Sequence, residues 1–333
     1  MRPATSFLTA VALDPVPADR GLPPGELLSG RAQRALARAA EDAGADLVTL
    51  GDALDTAGLP GVLAARLSAL ELCAWLAPQT HRVGLVPTVT TTHTEPFLLG
   101  AATATLDHAS LGRAGVLVTP SLGPGEAANV GRRPDPGPAQ AWRETGEVAD
   151  VLRRLWDSWE DDAEIRDAAT GRFVDREKLH YVDFAGTDSA GTPFTVKGPS
   201  IVPRPPQGRP PVLVRREPET GLEVLRPAVE QADVVLVPAA SAVEDAATLR
   251  AWRPGVVVLA AHDPGDVPDP ASLTGLVAAG VHGVHVTPGL TGHGDAPARL
   301  RAAVAAAGLD GPRGGTLRER LGLPRAVNRY ARG

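Results

Sequence analysis

The sequence predicts a (β/α)8 barrel. Short runs rich in Val and Leu alternate with longer Ala-, Leu- and Arg-rich segments of helical period, and eight such pairs can be counted along 333 residues. A barrel of this class needs about 250 residues plus insertions, so a single domain over 1–333 accounts for the whole length.

Taken in order, the strands are expected at Leu8–Leu13, Asp46–Leu50, Arg82–Val86, Ala114–Thr119, Pro211–Val214, Asp233–Val237, Val256–Ala260 and Gly283–Thr287. Helices are expected at Arg31–Ala43, Gly61–Ala77, Thr94–Asp107, Ala139–Trp159, Gly221–Gln231, Val243–Ala251 and Ser272–Ala279, with Pro297–Ala307 after the last strand. Thr94 reads as an N-cap with Glu95 and Pro96 in the first turn, and Glu41-Asp42-Ala43-Gly44 as a helix C-terminus. Glu160–Arg209 is too long for an ordinary connection, which puts a structured insertion at 160–210, between the fourth and fifth strands. Phe173, Leu179, Tyr181, Phe184, Phe194 and Val196 are expected to pack it down.

Composition narrows the class. Apolar residues make up 43% and charged residues 22%, enough for a large core. With 33 Lys+Arg against 39 Asp+Glu, the formal charge of −6 offers no field for nucleic acid or anionic lipid. No apolar stretch approaches the roughly 18 residues of a membrane span, so a cytoplasmic location is expected. Cys73 is the only cysteine and lies on an apolar helical face, where a buried, inert thiol is expected rather than a nucleophile.

Barrel chemistry sits beyond the C-terminal ends of the strands. That places Asp14, Gly51-Asp52, Thr88–His93, Thr119–Ser121, Arg215-Arg216, His262-Asp263 and Thr287 at the candidate site. The hydroxyl-rich run Thr88–His93 meets a helix N-terminus, suited to an electron-rich ring or an anion, although a plain capping loop would read the same. Asp52 accepts either from a heterocycle N–H or from the next helix. Arg215 and Arg216 are suited to a phosphate or carboxylate, with pairing to Glu217 or Glu219 as the structural alternative. His282 and His285 stand three apart in a strand and point to opposite faces, so they cannot share a metal ion. His262, Asp263, His293 and Asp295 form no metal-ligand spacing, and none is expected.

Several segments carry a family resemblance: Leu50-Gly51-Asp52-Ala53-Leu54, Thr90–Phe97, Leu106–Gly115, Leu152–Ala163, Thr170–Phe173, Val202–Pro210 and Thr316–Leu323. Together the chain resembles the nitrilotriacetate monooxygenase branch of the luciferase-like flavin-dependent enzymes, in register along nearly its whole length. The resemblance implies a (β/α)8 barrel that takes reduced FMN from a separate flavin reductase and uses O₂ to oxygenate a small organic substrate. It also implies a homodimer, or a heterodimer with a homologue. Carried over by position, Asp52, Thr91, Thr92 and Ser121 would line the cofactor; Trp142 and His93 would stack on or bond to it from altered positions, Arg215 and Arg216 would rebuild its phosphate site, and the catalytic residue is unknown, with His93 the candidate.

This chain departs from the family pattern at several of these points. Gly115-Val116-Leu117-Val118-Thr119-Pro120-Ser121 replaces a motif that usually reads Gly-Trp-Asn-Val-Val-Thr-Ser. His93 stands where an aromatic residue is common, and Trp142 where Tyr often precedes Arg143. Arg215-Arg216-Glu217-Pro218 replaces a loop resembling Gln-Ala-Gly, and Pro238–Ala271 lacks an extended helical insertion that covers the family's active site. The departures leave a second expectation, a catalytically silent paralogue serving as a partner subunit or a ligand-binding protein, and beyond it reductase chemistry with a deazaflavin or another barrel enzyme, so that the alternatives to FMN are a deazaflavin or no cofactor.

Overall fold

The computed structural model describes residues 7–13, 28–56, 66–131, 133–264, 266–287, 296–306 and 314–331. Eight parallel strands close into a barrel: β1 (Leu8–Ala12), β2 (Leu47–Leu50), β3 (Gly84–Thr90), β4 (Val116–Thr119), β9 (Val212–Arg215), β10 (Val234–Pro238), β11 (Val257–Ala261) and β12 (Gly283–Val286). β12 pairs back onto β1, with Leu8 opposite Gly283 and Ala10 opposite His285. All eight predicted strands are present, within a few residues of the expected bounds.

Because side chains alternate along a strand, two apolar layers form. Leu8, Ala10, Leu47, Val86, Leu117, Leu213, Leu236 and Leu259 fill the barrel interior. Val11, Val48, Leu85, Val118, Val214, Val235, Val258 and Val284 point outward against the helices. These helices are α1 (Arg31–Asp42), α2 (Ala69–Leu76), α3 (Pro96–Ala109), α4 (Pro124–Val130), α5 (Pro138–Asp157), α6 (Arg226–Val229), α7 (Ala242–Trp252), α8 (Pro270–Ala278), α9 (Ala296–Ala306) and α10 (Leu317–Arg320).

Three helix expectations need correction, and one helix was not expected. Glu95, not Thr94, occupies the N-cap of α3; the Thr94 hydroxyl lies 3.1 Å from that of Thr90. The Gly221–Gln231 helix is a 3-10 turn, Leu222–Leu225, followed by the single turn of α6, since Pro227 lacks the N–H needed to continue from the preceding turn. Helix α2 starts at Ala69, and part of the predicted Gly61–Ala77 span lies outside the described residues. Helix α4 has no counterpart in the sequence reading, because seven residues opening on Pro-Gly carry too little apolar periodicity to register. The C-terminus of α1 is as expected, with Gly44 in the left-handed region at φ 79°.

The insertion folds as two antiparallel hairpins, β5 (Glu164–Asp167) with β6 (Arg172–Val174) and β7 (Phe184–Thr187) with β8 (Pro193–Val196). Phe184, Phe194, Val182 and Val196 pack on Val151 and Leu155 of α5. Phe173 and Tyr181 do not help: they are 55% and 59% exposed, each under a cation, Arg166 and Lys197 respectively.

The N-terminal mouth of the barrel is plugged by residues that come last in the sequence. A Cβ on Gly84 would lie 2.7 Å from Leu317, and one on Gly115 3.2 Å, so these two glycines make the room that Leu317 fills. Thr316 and Glu319 form a capping box that starts α10. Beyond it, the Asn328 amide donates to the carbonyls of Asp157 and Trp159, both at 2.8 Å, while Arg204 and Arg209 pair with the fully buried Asp157 carboxylate. Among the described residues no helix is long and apolar enough to cross a membrane.

Candidate active site at the C-terminal mouth

Inside the barrel the side chains turn polar toward the strand C-termini. Thr49, Thr88, Thr90, Thr119, Arg215 and His285 occupy the inward positions above Leu47, Val86, Leu117 and Leu213. Two clusters result, one against the loops after β3 and β4, the other across the mouth.

In the first cluster, the Thr91 hydroxyl donates to the Thr119 carbonyl at 3.1 Å and lies 2.7 Å from the Thr145 hydroxyl of α5. The Ser121 N–H donates to Thr92 Oγ1 at 2.9 Å. These bonds lock the two loops together and leave other groups without partners. The Ser121 hydroxyl, the Trp142 indole N–H and both ring nitrogens of His93 are buried and unbonded. Buried polar groups are nearly always satisfied, so these unbonded groups stand out. His93 is 9% exposed and lines a cleft of ≈ 190 Å³ with Arg133, Glu144, Asp188 and Phe194. Burial, then the Arg133 charge, lowers the His93 pKa, so a neutral ring is favoured. Arg133 bridges Glu144 at 2.9 Å and Asp188 at 3.0 Å, fastening the insertion to α5. Burial raises the Glu144 carboxyl, with the Ser189 and Arg133 contacts pulling it back down.

Other sequence candidates are engaged structurally. The Asp52 carboxylate accepts from the N–H groups of Ala53 at 2.9 Å and Ala69 at 2.8 Å, which is the capping role, and burial raises its pKa against those bonds. Arg216 turns to Asp245, the Ser241 hydroxyl and the Thr220 carbonyl, away from Arg215, so the two guanidinium groups do not act as a pair. Arg215 meets Glu217 at 3.2 Å, and that partner is itself 56% exposed.

In the second cluster His285, 0% exposed, bonds Thr49 through Nε2 at 2.9 Å. His282 on the opposite face instead accepts from the Val258 N–H, as the alternation requires. Cys73 is fully buried and burial raises its thiol pKa. Among the described residues no group of three or more potential ligands could hold a metal ion. Asp14, His293 and Asp295 lie outside the described residues. Sequence reasoning missed Thr145, Arg133, Glu144 and Asp188; Thr145, three residues after Trp142 on one helical face, was the only one with a legible signal.

A family model described as luciferase-like monooxygenase matches residues 11–272. The chain is 38% identical over 169 residues to nitrilotriacetate monooxygenase component A of Aminobacter aminovorans, covering 51% of this chain and 36% of that protein. It is 35% identical over 301 residues to one of two matching subunits of the pristinamycin IIA synthase of Streptomyces pristinaespiralis, covering 88% of this chain and 89% of that one. Of the first curated relatives it matches, the chain spans only 40%, 36% and 43% of their lengths. The fold superposes on EDTA monooxygenase from Chelativorans sp. BNC1 with a TM-score of 0.78 at 17% identity, over 96% of this chain and 99% of that one.

Proposed function

Because this chain belongs to the luciferase-like monooxygenase family, we propose that it is the oxygenating component of a two-component flavin-dependent monooxygenase, a single domain over 1–333 acting on a small organic substrate. One observation carries the reading: at the mouth where barrel chemistry resides, His93, Ser121 and Trp142 present buried hydrogen-bonding groups with no partner in the protein. Bound reduced FMN, delivered by a separate reductase, would supply the two electrons that divide O₂ between the product and water.

The residues present fit a flavin on the β3–β4 side. The Ser121 hydroxyl and the Trp142 N–H can donate to an acceptor-rich ring system, on a wall fixed by the Thr91–Thr145 and Thr92–Ser121 contacts. His93, neutral in the cleft, can accept or donate a single proton toward substrate. Asp52 supports the site by capping, and Arg216 is engaged by Asp245. To test the reading, FMN and reduced FMN are titrated against the protein by fluorescence, and oxygenation is followed with a flavin reductase and O₂. Failure of both flavin forms to bind at millimolar concentration sinks it.

A second reading rests on the near end-to-end match to that pristinamycin IIA synthase subunit, together with 31% identity over 144 residues to another subunit of the same synthase. Under it, the chain is one member of a heterodimer with a flavin-competent homologue. Co-purification with such a homologue supports it, and turnover by the isolated chain excludes it.

A further inference from the structure

We infer that the cleft beside His93 is a cation subsite, one that takes the protonated amine of a small organic substrate. The inference rests on the reading of the barrel mouth as the active site, but it does not require the cofactor to be a flavin.

Four parts of the chain wall this cleft. The loop from β3 into α3 brings His93 and Glu95, the loop before α5 brings Arg133, α5 itself brings Glu144, and the β7–β8 hairpin brings Asp188 and Phe194. The volume of ≈ 190 Å³ is far more than the roughly 15 Å³ that a single water requires, so the cleft has room for an organic group. His93 is 9% exposed, and both its ring nitrogens are buried without a partner. A neutral imidazole has one bare nitrogen that accepts and one N–H that donates, which leaves an unused acceptor at the cleft wall.

Charge then selects the ligand. Among the described residues Glu95, Glu144 and Asp188 line the cleft against one guanidinium, Arg133. Both arms of that guanidinium are engaged: Nη2 donates to Glu144 at 2.9 Å, and Nη1 lies 3.0 Å from Asp188. Asp188 is further held by the N–H groups of Ala190 at 2.9 Å and Thr192 at 2.8 Å, and Glu144 by that of Ser189 at 3.0 Å. Glu95 occupies the N-cap position of α3, yet its side chain makes no capping bond. Burial raises the Glu144 carboxyl, but even with Glu144 protonated two carboxylates face one cation. An entering carboxylate meets like charge and binds only by taking Nη1 from Asp188. An ammonium group meets an excess of negative charge, the acceptor on His93 and the Phe194 ring, whose π electrons also attract cations.

The test uses the full chain without flavin and titrates it with n-butylammonium, 1-butanol and butyrate, which share a chain length and differ in charge. The imidazole nitrogen signals of His93, assigned by their loss in His93→Phe, are followed by NMR, and FMN binding is measured on a separate sample by fluorescence. The expected result is a saturable shift with n-butylammonium, roughly tenfold tighter than with 1-butanol, the worth of a hydrogen bond to a charged group. Butyrate should give none. Glu95→Gln should weaken n-butylammonium by up to roughly fivefold, the range of an exposed ion pair. Asp188→Asn frees Nη1 of Arg133, so butyrate should then bind. Equal binding of n-butylammonium and 1-butanol, butyrate binding to the unaltered protein as tightly as the amine, or a folded Asp188→Asn protein that still rejects butyrate overturns the subsite. Amine binding without FMN binding supports the subsite and sinks the flavin reading. FMN binding with no His93 response to the amine leaves the flavin reading standing and overturns the subsite.

Discussion

Replacing His285 with Gln should make folding stability less sensitive to acid. His285 titrates at about 3 in place of its ordinary 6.5, first because burial strips solvent from the imidazolium and then because Arg215 and His262 repel it. Between these values the unfolded chain holds a proton that the folded chain refuses. The stability linked to this ring is therefore complete above pH 6.5 and disappears as the pH falls toward 3. Linkage puts the loss at about 2 kcal/mol by pH 5 and about 4 kcal/mol at the folded pKa. Against this stands a pH-independent penalty in the variant, about 1–2 kcal/mol for the lost Thr49 bond. Urea unfolding of both proteins at pH 8 and pH 5 separates the two effects, since carboxylates common to both cancel in the difference. The deficit of the variant at pH 8 should shrink or reverse at pH 5. A deficit of equal size at both values would show that the ring is not held neutral by its surroundings.

Three other substitutions probe distinct parts of the molecule. His93→Phe removes two buried nitrogens that bond nothing, so thermal unfolding should show no loss of stability while any oxygenation activity falls; a stability loss above about 1 kcal/mol would mean the ring is structural. Arg113 donates to the carbonyls of Ala77 and Val83 at 2.8 Å and of Thr80 at 3.1 Å, so Arg113→Met should cost about 3–5 kcal/mol in denaturant unfolding. Leu317→Ala opens a cavity beneath the barrel and should cost about 2–5 kcal/mol by the same measure, with ligand affinity at the far mouth unchanged.

Strands buried on both faces write themselves as plain apolar runs, and for that reason Val234–Pro238 and Val257–Ala261 were legible to within a residue or so. The site was legible only as a set of positions. Whether Asp52 faces a ligand or caps Ala69, and whether Arg216 joins Arg215 or pairs with Asp245, depends on contacts between residues 17 and 29 positions apart, which no local pattern encodes. The Arg133–Glu144–Asp188 clasp was hidden for the same reason, since it joins a loop, a helix and a hairpin. His285 shows the converse: strand alternation put it on the opposite face from His282, but alternation carries no information about which face is the inner one or which charges await it there.

The plug formed by Leu317 has a consequence for how the protein tolerates change. It meets β3 at Gly84, while Thr90 at the other end of that strand belongs to the mouth; six residues of extended chain separate them by roughly 20 Å. Mutational effects rarely interact beyond about 7–10 Å. Substitutions that retune the mouth for a new ligand should therefore sum with substitutions that tighten or loosen the opposite end, with little epistasis between them. Such a scaffold can absorb destabilising changes at one pole by independent repair at the other, which leaves its binding loops free to diverge.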